Sequence, residues 1–529
     1  MAYNTYTYML LFLTGTGILY YICPRKIRWI VLLAASYLFY YLSSAKLMGF
    51  LMLSTVVVYG TGVILTILQD EYRDKMAGAC ESEQIILRHQ LQKRKRLAAV
   101  FAILFNLGIL GFLKYYNFFA LNVNHILQGL HIDGRMEELR LLLPLGISFY
   151  TLSAIGYIID VYRGKYRADK NLGHLALFLS FFGQIVEGPI VRYDQMSDEL
   201  LKGHSFQTKN ISFGVQRIVW GLFKKIVIAD RLNLLVNTVF TAYPDYSGIT
   251  IATAVLCYTI QIYCEFSGCM DMVIGSAQLF GVHLPENFER PFFSKNVSEF
   301  WRRWHITLGA WFRDYIFYSV SLSKRMMRLS KWGRNHLTPH LAKLLPSACA
   351  LFPVWLCNGF WHGSSWKYVF YGIYYFMLIM LGMLAEPLFQ KLCTMLHLSR
   401  KSFGFQLWQI LRTFFLVNIG MLFFRAVSLK VGIKMLVSMF GGFSLAPLRG
   451  GVLLNLGMDK MDYAAVGFGL VVVFAVSIAQ EKGIHIREWI SGRHIAVRFA
   501  IYYAAAFSVL LLGAYGMGYV PVDFIYAQF

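Results

Sequence analysis

Long apolar runs alternate with short polar segments along most of the chain. The apolar runs cover residues 8–22, 29–42, 47–68, 97–119, 141–159, 173–190, 213–238, 249–280, 346–361, 366–385, 406–426, 462–480 and 496–517. A helix that crosses the hydrocarbon core of a bilayer needs about 20 mainly apolar residues. Several runs are shorter and are expected to be re-entrant or buried, so the pattern predicts roughly 11–13 crossings. The fold class that follows is an all-α polytopic membrane protein.

The composition indicates lipid rather than water as the main solvent. Hydrophobic residues make up 57% of the 529 residues and charged residues 15%, whereas soluble domains average about 45–50% apolar and about 25% charged residues. The net charge of +22 is typical both of nucleic-acid-binding proteins and of membrane proteins with basic cytoplasmic segments. The basic residues collect between the apolar runs, which favours the second class and predicts no nucleic-acid partner.

The basic segments predict how the chain is oriented in the membrane. Two clusters stand out, at Arg73, Lys75, Arg88, Lys93, Arg94, Lys95 and Arg96, and at Lys324, Arg325, Arg328, Lys331, Arg334 and Lys343. Both are expected on the cytoplasmic side, and contact with anionic lipid headgroups is compatible with that position. The first apolar run has no basic stretch before it and is followed by Arg25, Lys26 and Arg28. This predicts a first span with its N-terminus outside rather than a cleaved signal peptide. Without a repeat or linker, residues 1–529 are predicted to form one membrane domain.

Residues 287–315 are more polar and more aromatic than the runs around them. Ser298 is a predicted N-cap, with Glu299 in the first turn. A helix from Ser298 places four side chains on one face, namely Trp301, His305, Leu308 and Phe312. Such a helix is too short and too charged to cross the bilayer, so it is predicted to lie in the interface with this face inward. His305 is therefore expected to be buried, either as a structural residue or as a functional one.

A second histidine, His362, stands between two apolar runs, in the segment 357–366. Ionisable groups at membrane depth are costly and are usually functional. Gly363 allows the backbone to turn there or to approach another chain segment closely. The alternative is that His362 simply caps the helix that ends at it.

Other signals of acyl transfer or hydrolysis are missing from the sequence. It contains no Gly-x-Ser-x-Gly elbow, and neither histidine is followed five residues later by an aspartate. No Asp/Glu or Cys/His cluster predicts a metal site, and the eight cysteines lack zinc-knuckle spacing and are expected to be mostly buried. The candidate chemistry that remains is catalysis by histidines inside a membrane protein.

Four ordered motifs resemble the signatures of the membrane-bound O-acyltransferase (MBOAT) family, in the bacterial branch of alginate O-acetylation and teichoic acid D-alanyl transfer. They lie at residues 144–164, 181–190, 287–315 and 361–363, and the third contains the Trp-Arg-Arg-Trp-His run that ends at His305. The tail at residues 524–529 is also similar to this branch. By resemblance, His305 and His362 correspond to the family's two functional histidines.

The resemblance implies a ring of transmembrane helices, with re-entrant and interfacial helices around a central funnel. It also implies an acyl thioester donor on the cytoplasmic side, either acetyl-CoA or the phosphopantetheine of an acyl carrier protein, and no tightly bound cofactor. The acceptor hydroxyl would be reached from outside the cell membrane, with an SGNH-type extracytoplasmic acyltransferase as partner. Acetyl is the favoured acyl group because the polar stretch at 69–96 and the region after Gly451 are long for the D-alanyl type. D-alanyl transfer is the alternative.

The two histidines are assigned separate roles in this scheme. A histidine can accept the proton of the attacking hydroxyl, because its ordinary pKa is near 6.5. His362 is predicted to be that base, and His305 to orient the acyl donor or polarise its carbonyl, although the roles could be exchanged. Four tryptophans are expected either to line the site or to anchor the chain at the interface: Trp301, Trp304, Trp361 and Trp366. Asn296 is expected to hold the funnel floor or to cap a turn.

Two alternatives of other classes remain open from the sequence. One is a polytopic transporter or flippase, which would usually show paired half-repeats. The other is a non-catalytic scaffold that docks a secreted acyltransferase, in which case loss of His362 would leave acylation intact.

Overall fold

The computed structural model describes residues 2–441, 444–449 and 451–515, and within them the chain is helical apart from loops and one isolated β-bridge. The C-terminal motif at residues 524–529 lies outside the described residues. Contacts divide the chain into two compact units. The single-domain interpretation of the sequence stays a prediction, and each unit is described by itself.

The first unit comprises the chain up to Val215 together with Val273–Pro285. A π-helix at Thr7–Leu13 leads into the first of its helices. The helices are α1 (Thr14–Ile22), α2 (Arg28–Ser44), α3 (Met48–Ala77), α4 (Glu81–Gly129), α5 (Ile147–Arg163), α6 (Leu172–Ser180) and α7 (Tyr193–Leu201). Helices α8 (Thr208–Leu222) and α10 (Gly248–Leu279) contribute residues to both units.

The apolar run at residues 173–190 is one of the short runs that do not form a crossing helix, because α6 ends at Ser180 and residues 181–193 are buried without a long helix. Gly188 explains part of this path, since a Cβ there would lie closer than 3.0 Å to the backbone of Gln184. Pro189 follows it and cannot donate a backbone hydrogen bond. Irregular backbone at membrane depth is tolerated where protein surrounds it, and here the whole segment is enclosed.

The second unit comprises Gln216–Met272 and the chain from Glu286 onward. A π-helix at Phe223–Ala229 joins α8 to α9, and another at Arg313–Phe317 joins α12 to α13. Its helices are α9 (Asp230–Thr241), α11 (Val297–Arg303), α12 (Ile306–Phe312), α13 (Tyr318–Ser321), α14 (Lys324–His336), α15 (Pro339–His362), α16 (Trp366–Met395), α17 (Phe403–Arg425), α18 (Leu429–Gly441), α19 (Ala446–Arg449), α20 (Lys460–Glu481), α21 (Ile486–Ser491) and α22 (Ile495–Leu512). Within this unit α15 packs on α16, and α16 packs on α17.

Eight helical segments of the described chain are long and apolar enough to cross a membrane. They are Arg25–Ala77, Glu81–Gly129, Gly248–Leu279, Pro339–His362, Trp366–Met395, Phe403–Arg425, Lys460–Glu481 and Ile495–Leu512. The first contains both α2 and α3, and the apolar helix Thr7–Ile22 is shorter than a full crossing. The structure therefore confirms the all-α polytopic class, and the chain is a multi-pass membrane protein.

Candidate active site

His305 lies at a break between two short helices. The single helix predicted from Ser298 is wrong, because α11 ends at Arg303 and α12 begins at Ile306. Asn296, and not Ser298, is the N-cap of α11, and its Oδ1 accepts a hydrogen bond from the Glu299 amide at 2.9 Å. His305 itself adopts a left-handed conformation with φ 47° and ψ 52°. This conformation is uncommon for residues other than glycine and concentrates at functional sites.

A short backbone pairing explains the break. Phe288 and Trp304 form an antiparallel β-bridge. On either side of it, the Glu289 amide donates to the Arg303 carbonyl at 2.9 Å, and the Ile306 amide donates to the Asn287 carbonyl at 3.0 Å. These bonds take the place of helical ones, so the chain leaves the helix at Trp304 and begins a new one after His305.

Asn287 also fixes the tautomer of His305. Its Oδ1 accepts hydrogen bonds from the amide and the hydroxyl of Thr307, both at 3.0 Å, which identifies this atom as the amide oxygen. The same Oδ1 lies 3.3 Å from Nδ1 of His305. Because the oxygen only accepts, Nδ1 is the donor, and in a neutral imidazole the lone pair is then on Nε2.

His305 is buried and neutral. Only 3% of the residue is exposed, and the edge-on ring of Phe266 lies 4.9 Å from the imidazole. Burial lowers the pKa of His305 to about 3, because a charged imidazolium would lose its hydration. At physiological pH the side chain therefore offers Nε2 as a hydrogen-bond acceptor.

His362 is the last residue of α15 and is buried to the same extent as His305. Its imidazole contacts three aromatic rings, those of Trp361 at 5.0 Å, Phe424 at 5.1 Å and Tyr371 at 5.7 Å. The Trp361 ring also lies 5.5 Å from that of His305. One indole therefore contacts both imidazoles, and the structure brings the two predicted histidines into a single site.

Close packing of α15 on α16 holds His362 in place. A Cβ on Gly359 would lie closer than 3.0 Å to the Tyr368 carbonyl, and one on Gly372 closer than 3.0 Å to the Trp355 carbonyl. A Cβ on Gly363 would meet the ring of Tyr368. The expected close approach at Gly363 is thus present. Gly359 and Gly372 allow the two helices to pack backbone against backbone, and Gly363 leaves room for the Tyr368 ring.

The other predicted site residues differ in burial and in their neighbours. Trp361 and Trp304 are buried, and Trp304 belongs to an aromatic cluster with Phe288 and Phe300. Trp301 is half-buried against Trp355 and Tyr375, whereas Trp366 is 56% exposed. Asn296 is exposed and caps α11. A part for Asn296 in the funnel floor stays a prediction.

Sequence reasoning missed Asn287 and the charged residues of α10. Phe266 and Met270 of α10 contact His305 and Asn287, and Asp271 on the same helix binds Lys224 at 2.6 Å. Lys225 binds Glu265 at 3.2 Å. The π-helix at Phe223–Ala229 adds a residue to the turn and lets both neighbouring lysines face inward. Charges inside apolar runs are a signal that could have revealed this network.

Comparisons with known proteins identify the family of this chain. The family model described as the membrane-bound O-acyltransferase family matches residues 167–424. A probable alginate O-acetylase AlgI of Azotobacter vinelandii is 30% identical over 88% of this chain and 84% of its own length. A peptidoglycan O-acetyltransferase of Helicobacter pylori is 30% identical over 80% of this chain and 84% of its own length. A teichoic acid D-alanyltransferase of Bacillus subtilis is 29% identical over 44% of this chain and 58% of its own length. The chain belongs to the membrane-bound O-acyltransferase family.

Proposed function

We propose that this O-acyltransferase moves an acetyl group from a cytoplasmic thioester to an extracytoplasmic hydroxyl, for the modification of a cell-surface polysaccharide. The observation that carries the proposal is the single site in which Trp361 contacts both His305 and His362. The acetyl assignment follows the near-full-length similarity to an alginate O-acetylase and a peptidoglycan O-acetyltransferase. The family membership and these relatives argue against a transporter or flippase.

His362 is proposed as the general base. It accepts the proton of the attacking hydroxyl while the new C–O bond forms and the C–S bond of the thioester breaks. The same proton can then pass to the departing thiolate, so no other reactant is needed. Proton transfer of this kind contributes about 10²–10⁴ in rate.

His305 is proposed to orient the donor. Polarising the thioester carbonyl would require an N–H at Nε2, whereas the bond to Asn287 places the proton on Nδ1. A neutral Nε2 suits acceptance of a hydrogen bond from an amide N–H, and both acetyl-CoA and a phosphopantetheine arm contain amides. Of the two supporting roles expected from the sequence, orientation is therefore the better one.

The donor is proposed to arrive at the end of the protein where α14 lies. This helix exposes Lys324, Arg325, Arg328, Lys331 and Arg334, a charge that indicates the cytoplasmic side. It also suits acidic donors, whether acetyl-CoA or an acyl carrier protein. The basic residues that follow the first apolar run, Arg25, Lys26 and Arg28, support an N-terminus outside the cell membrane. An SGNH-type partner is proposed at the outer surface.

D-alanyl transfer to teichoic acid is the second candidate function. It is favoured by the similarity to a teichoic acid D-alanyltransferase, which covers less of the chain than the acetylating relatives do. The two functions differ in the group recovered from the polymer, which mass spectrometry of the released ester distinguishes.

The test measures ester-linked acyl groups on surface polymer from cells that carry His362→Ala. We expect a loss of about 100-fold or more with the protein still present in the membrane. His336→Ala is the matched control, because His336 is exposed on α14. Wild-type acylation in the His362 variant would instead support the non-catalytic scaffold.

A further inference from the structure

Two cationic residues are next in sequence to Tyr368 and Phe424, aromatic residues that pack on each other near His362 at the end of α15. Lys367 is in the first turn of α16, and Arg425 is the last residue of α17. We propose that Lys367 and Arg425 form an anion site that binds a carboxylate or phosphate of the acceptor, so that the acceptor is an acidic polymer. This inference rests on the proposed acyl transfer to a polysaccharide and names the class of that polysaccharide.

The contacts place both cations next to residues that pack around the histidine. Lys367 Nζ donates to the carbonyl of Ala426 at 2.7 Å, and Ala426 is the neighbour of Arg425. The guanidinium of Arg425 donates to Oδ1 of Asn237. The preceding residue, Phe424, contacts His362 at 5.1 Å and Tyr368 at 5.3 Å. An anion held by the two cations would therefore lie within a few side-chain lengths of the proposed base.

The charges of this pair are not balanced by acidic side chains. In the described part of the chain neither Lys367 nor Arg425 forms an ion pair with a carboxylate, and the sequence has no Asp or Glu between Asp314 and Glu386. The Lys367 ammonium binds the carbonyl of Ala426, the residue that follows Arg425, so the two cationic residues are neighbours in the fold. Holding like charges together is unfavourable unless an anion joins them.

Other buried cations of the same unit form ion pairs with carboxylates. Lys224 and Lys225 bind Asp271 and Glu265, and Arg231 binds Asp462. Each of these three cations has a carboxylate partner among the described residues, unlike Lys367 and Arg425. Lys367 and Arg425 differ also in being partly exposed, so an external anion can reach them.

The surroundings of the pair suit an anionic ligand. Helix α16 begins at Trp366 without a side-chain cap, and its first amides add the positive end of a helix dipole. A guanidinium offers a planar fork of N–H groups that matches carboxylate and phosphate oxygens. Two cationic side chains and the start of α16 therefore lie at the His362 end of α15.

The position across the membrane also fits the acceptor and not the donor. Helix α15 has 24 residues and is about 36 Å long, enough to cross a hydrocarbon core of about 30 Å. The basic helix α14 precedes its first residue, whereas His362 is its last. Lys367 and Arg425 therefore lie at the end opposite to α14.

The test measures binding to the full chain in lipid nanodiscs. The probes are an oligouronate, a glycerol phosphate oligomer and a neutral oligosaccharide of similar length. We expect one or both anionic probes to bind more tightly than the neutral probe. Lys367→Gln and Arg425→Gln should each weaken that binding about tenfold, and the neutral probe should be unaffected. The anionic probe that is preferred identifies the source of the charge.

Charge-preserving and matched variants complete the experiment. Lys367→Arg and Arg425→Lys should retain most of the binding, which separates loss of charge from loss of folding. Lys391→Gln removes one exposed charge near the other end of α16 and should bind as the wild type does. Equal binding of all three probes, unaltered binding in both Gln variants, or an equal loss in Lys391→Gln would overturn the proposal.

The same preparations separate this proposal from the proposed function. His362→Ala should still bind the anionic probe while losing acyl transfer. If His362→Ala transfers acyl groups normally, the proposed function fails, and the binding results still decide the anion site on their own.

Discussion

At the residue scale, the chemistry of His305 depends on one neighbouring amide. Asn287 supplies the oxygen that binds the backbone and the hydroxyl of Thr307, and the same oxygen lies against Nδ1 of His305. It thereby starts α12, supports the left-handed backbone of His305 and selects its tautomer. A residue that touches no substrate in this scheme thus determines which nitrogen faces the site.

We predict that Asn287→Ala lowers acyl transfer about 100-fold, because a misplaced His305 no longer orients the donor. Two donors of Thr307 also lose their acceptor, which costs about 1–3 kcal/mol of stability. Initial rates at saturating and limiting donor separate the effects, since a positioning role raises KM for the donor whereas simple destabilisation lowers only the amount of folded protein. Asn455→Ala, at an exposed position outside α14, is the control and should keep both values.

A negative charge at position 287 is expected to make acyl transfer depend on pH. Asn287→Asp keeps an acceptor but places a carboxylate beside Nδ1, which raises the pKa of His305 from about 3. Protonation then occurs at higher pH and converts Nε2 from an acceptor into a donor. The ratio of variant to wild-type transfer rate should fall as the pH is lowered from about 8 to about 5.5. A ratio that is constant over this range would contradict the assigned tautomer.

The burial of the two histidines could be expected from the sequence, but the interactions that position His305 could not. The burial of His362 was expected from the apolar runs on either side of it, and that of His305 from an inward helical face. The helical spacing that placed His305 inward was wrong, because the Phe288–Trp304 bridge interrupts the helix. Asn287 had no sequence signal of its own, since its role depends on a pairing between segments that a local pattern does not contain.

At the element scale, the site depends on how closely α15 and α16 approach. Gly359 and Gly372 face the backbone carbonyls of Tyr368 and Trp355 across this contact. Small residues allow helices in a membrane to pack closely, where van der Waals contact replaces the hydrophobic effect as the driving force. The contact fixes the end of α15, and with it the ring of His362.

We predict that Gly372→Ala destabilises the protein by about 1–3 kcal/mol, because the new methyl group forces the two helices apart. Acyl transfer should fall as His362 moves. The matched control is Gly382→Ala on the same helix, where a Cβ meets nothing within 4 Å and where alanine is the better helix former. Thermal denaturation in detergent and the transfer rate measure both effects. Similar stability of the two variants would show that the close approach is not required.

The sequence predicted the existence of most helices but not how they end. Residues 249–280 and 366–385 became α10 and α16 with shifts of a few residues or an extension. The apolar run at residues 173–190 does not form one helix. Hydropathy alone does not show that Gly188 and Pro189 redirect the buried segment. Most of the polar stretch at 69–96 is helical, since α3 continues to Ala77 and α4 starts at Glu81.

At the scale of the whole molecule, charge is distributed unevenly along the chain. The basic helix α14 directly precedes the apolar α15, and no acidic residue occurs from there to Glu386. Because cytoplasmic segments of membrane proteins are enriched in Lys and Arg, this asymmetry assigns opposite sides to the two ends of α15. The donor-side and acceptor-side roles proposed above both depend on that assignment.

The orientation is tested by labelling single cysteines in a chain whose eight native cysteines are replaced. Arg334→Cys on α14 and Ser364→Cys after His362 are both at exposed positions. We expect a membrane-impermeant maleimide to label the Ser364 variant in intact cells, and the Arg334 variant only after the membrane is opened. The reverse pattern would place α14 outside and invert donor and acceptor sides. Labelling of both variants in intact cells would show that α15 does not cross the membrane, and the separation of an inner thioester from an outer hydroxyl would then need another route through the protein.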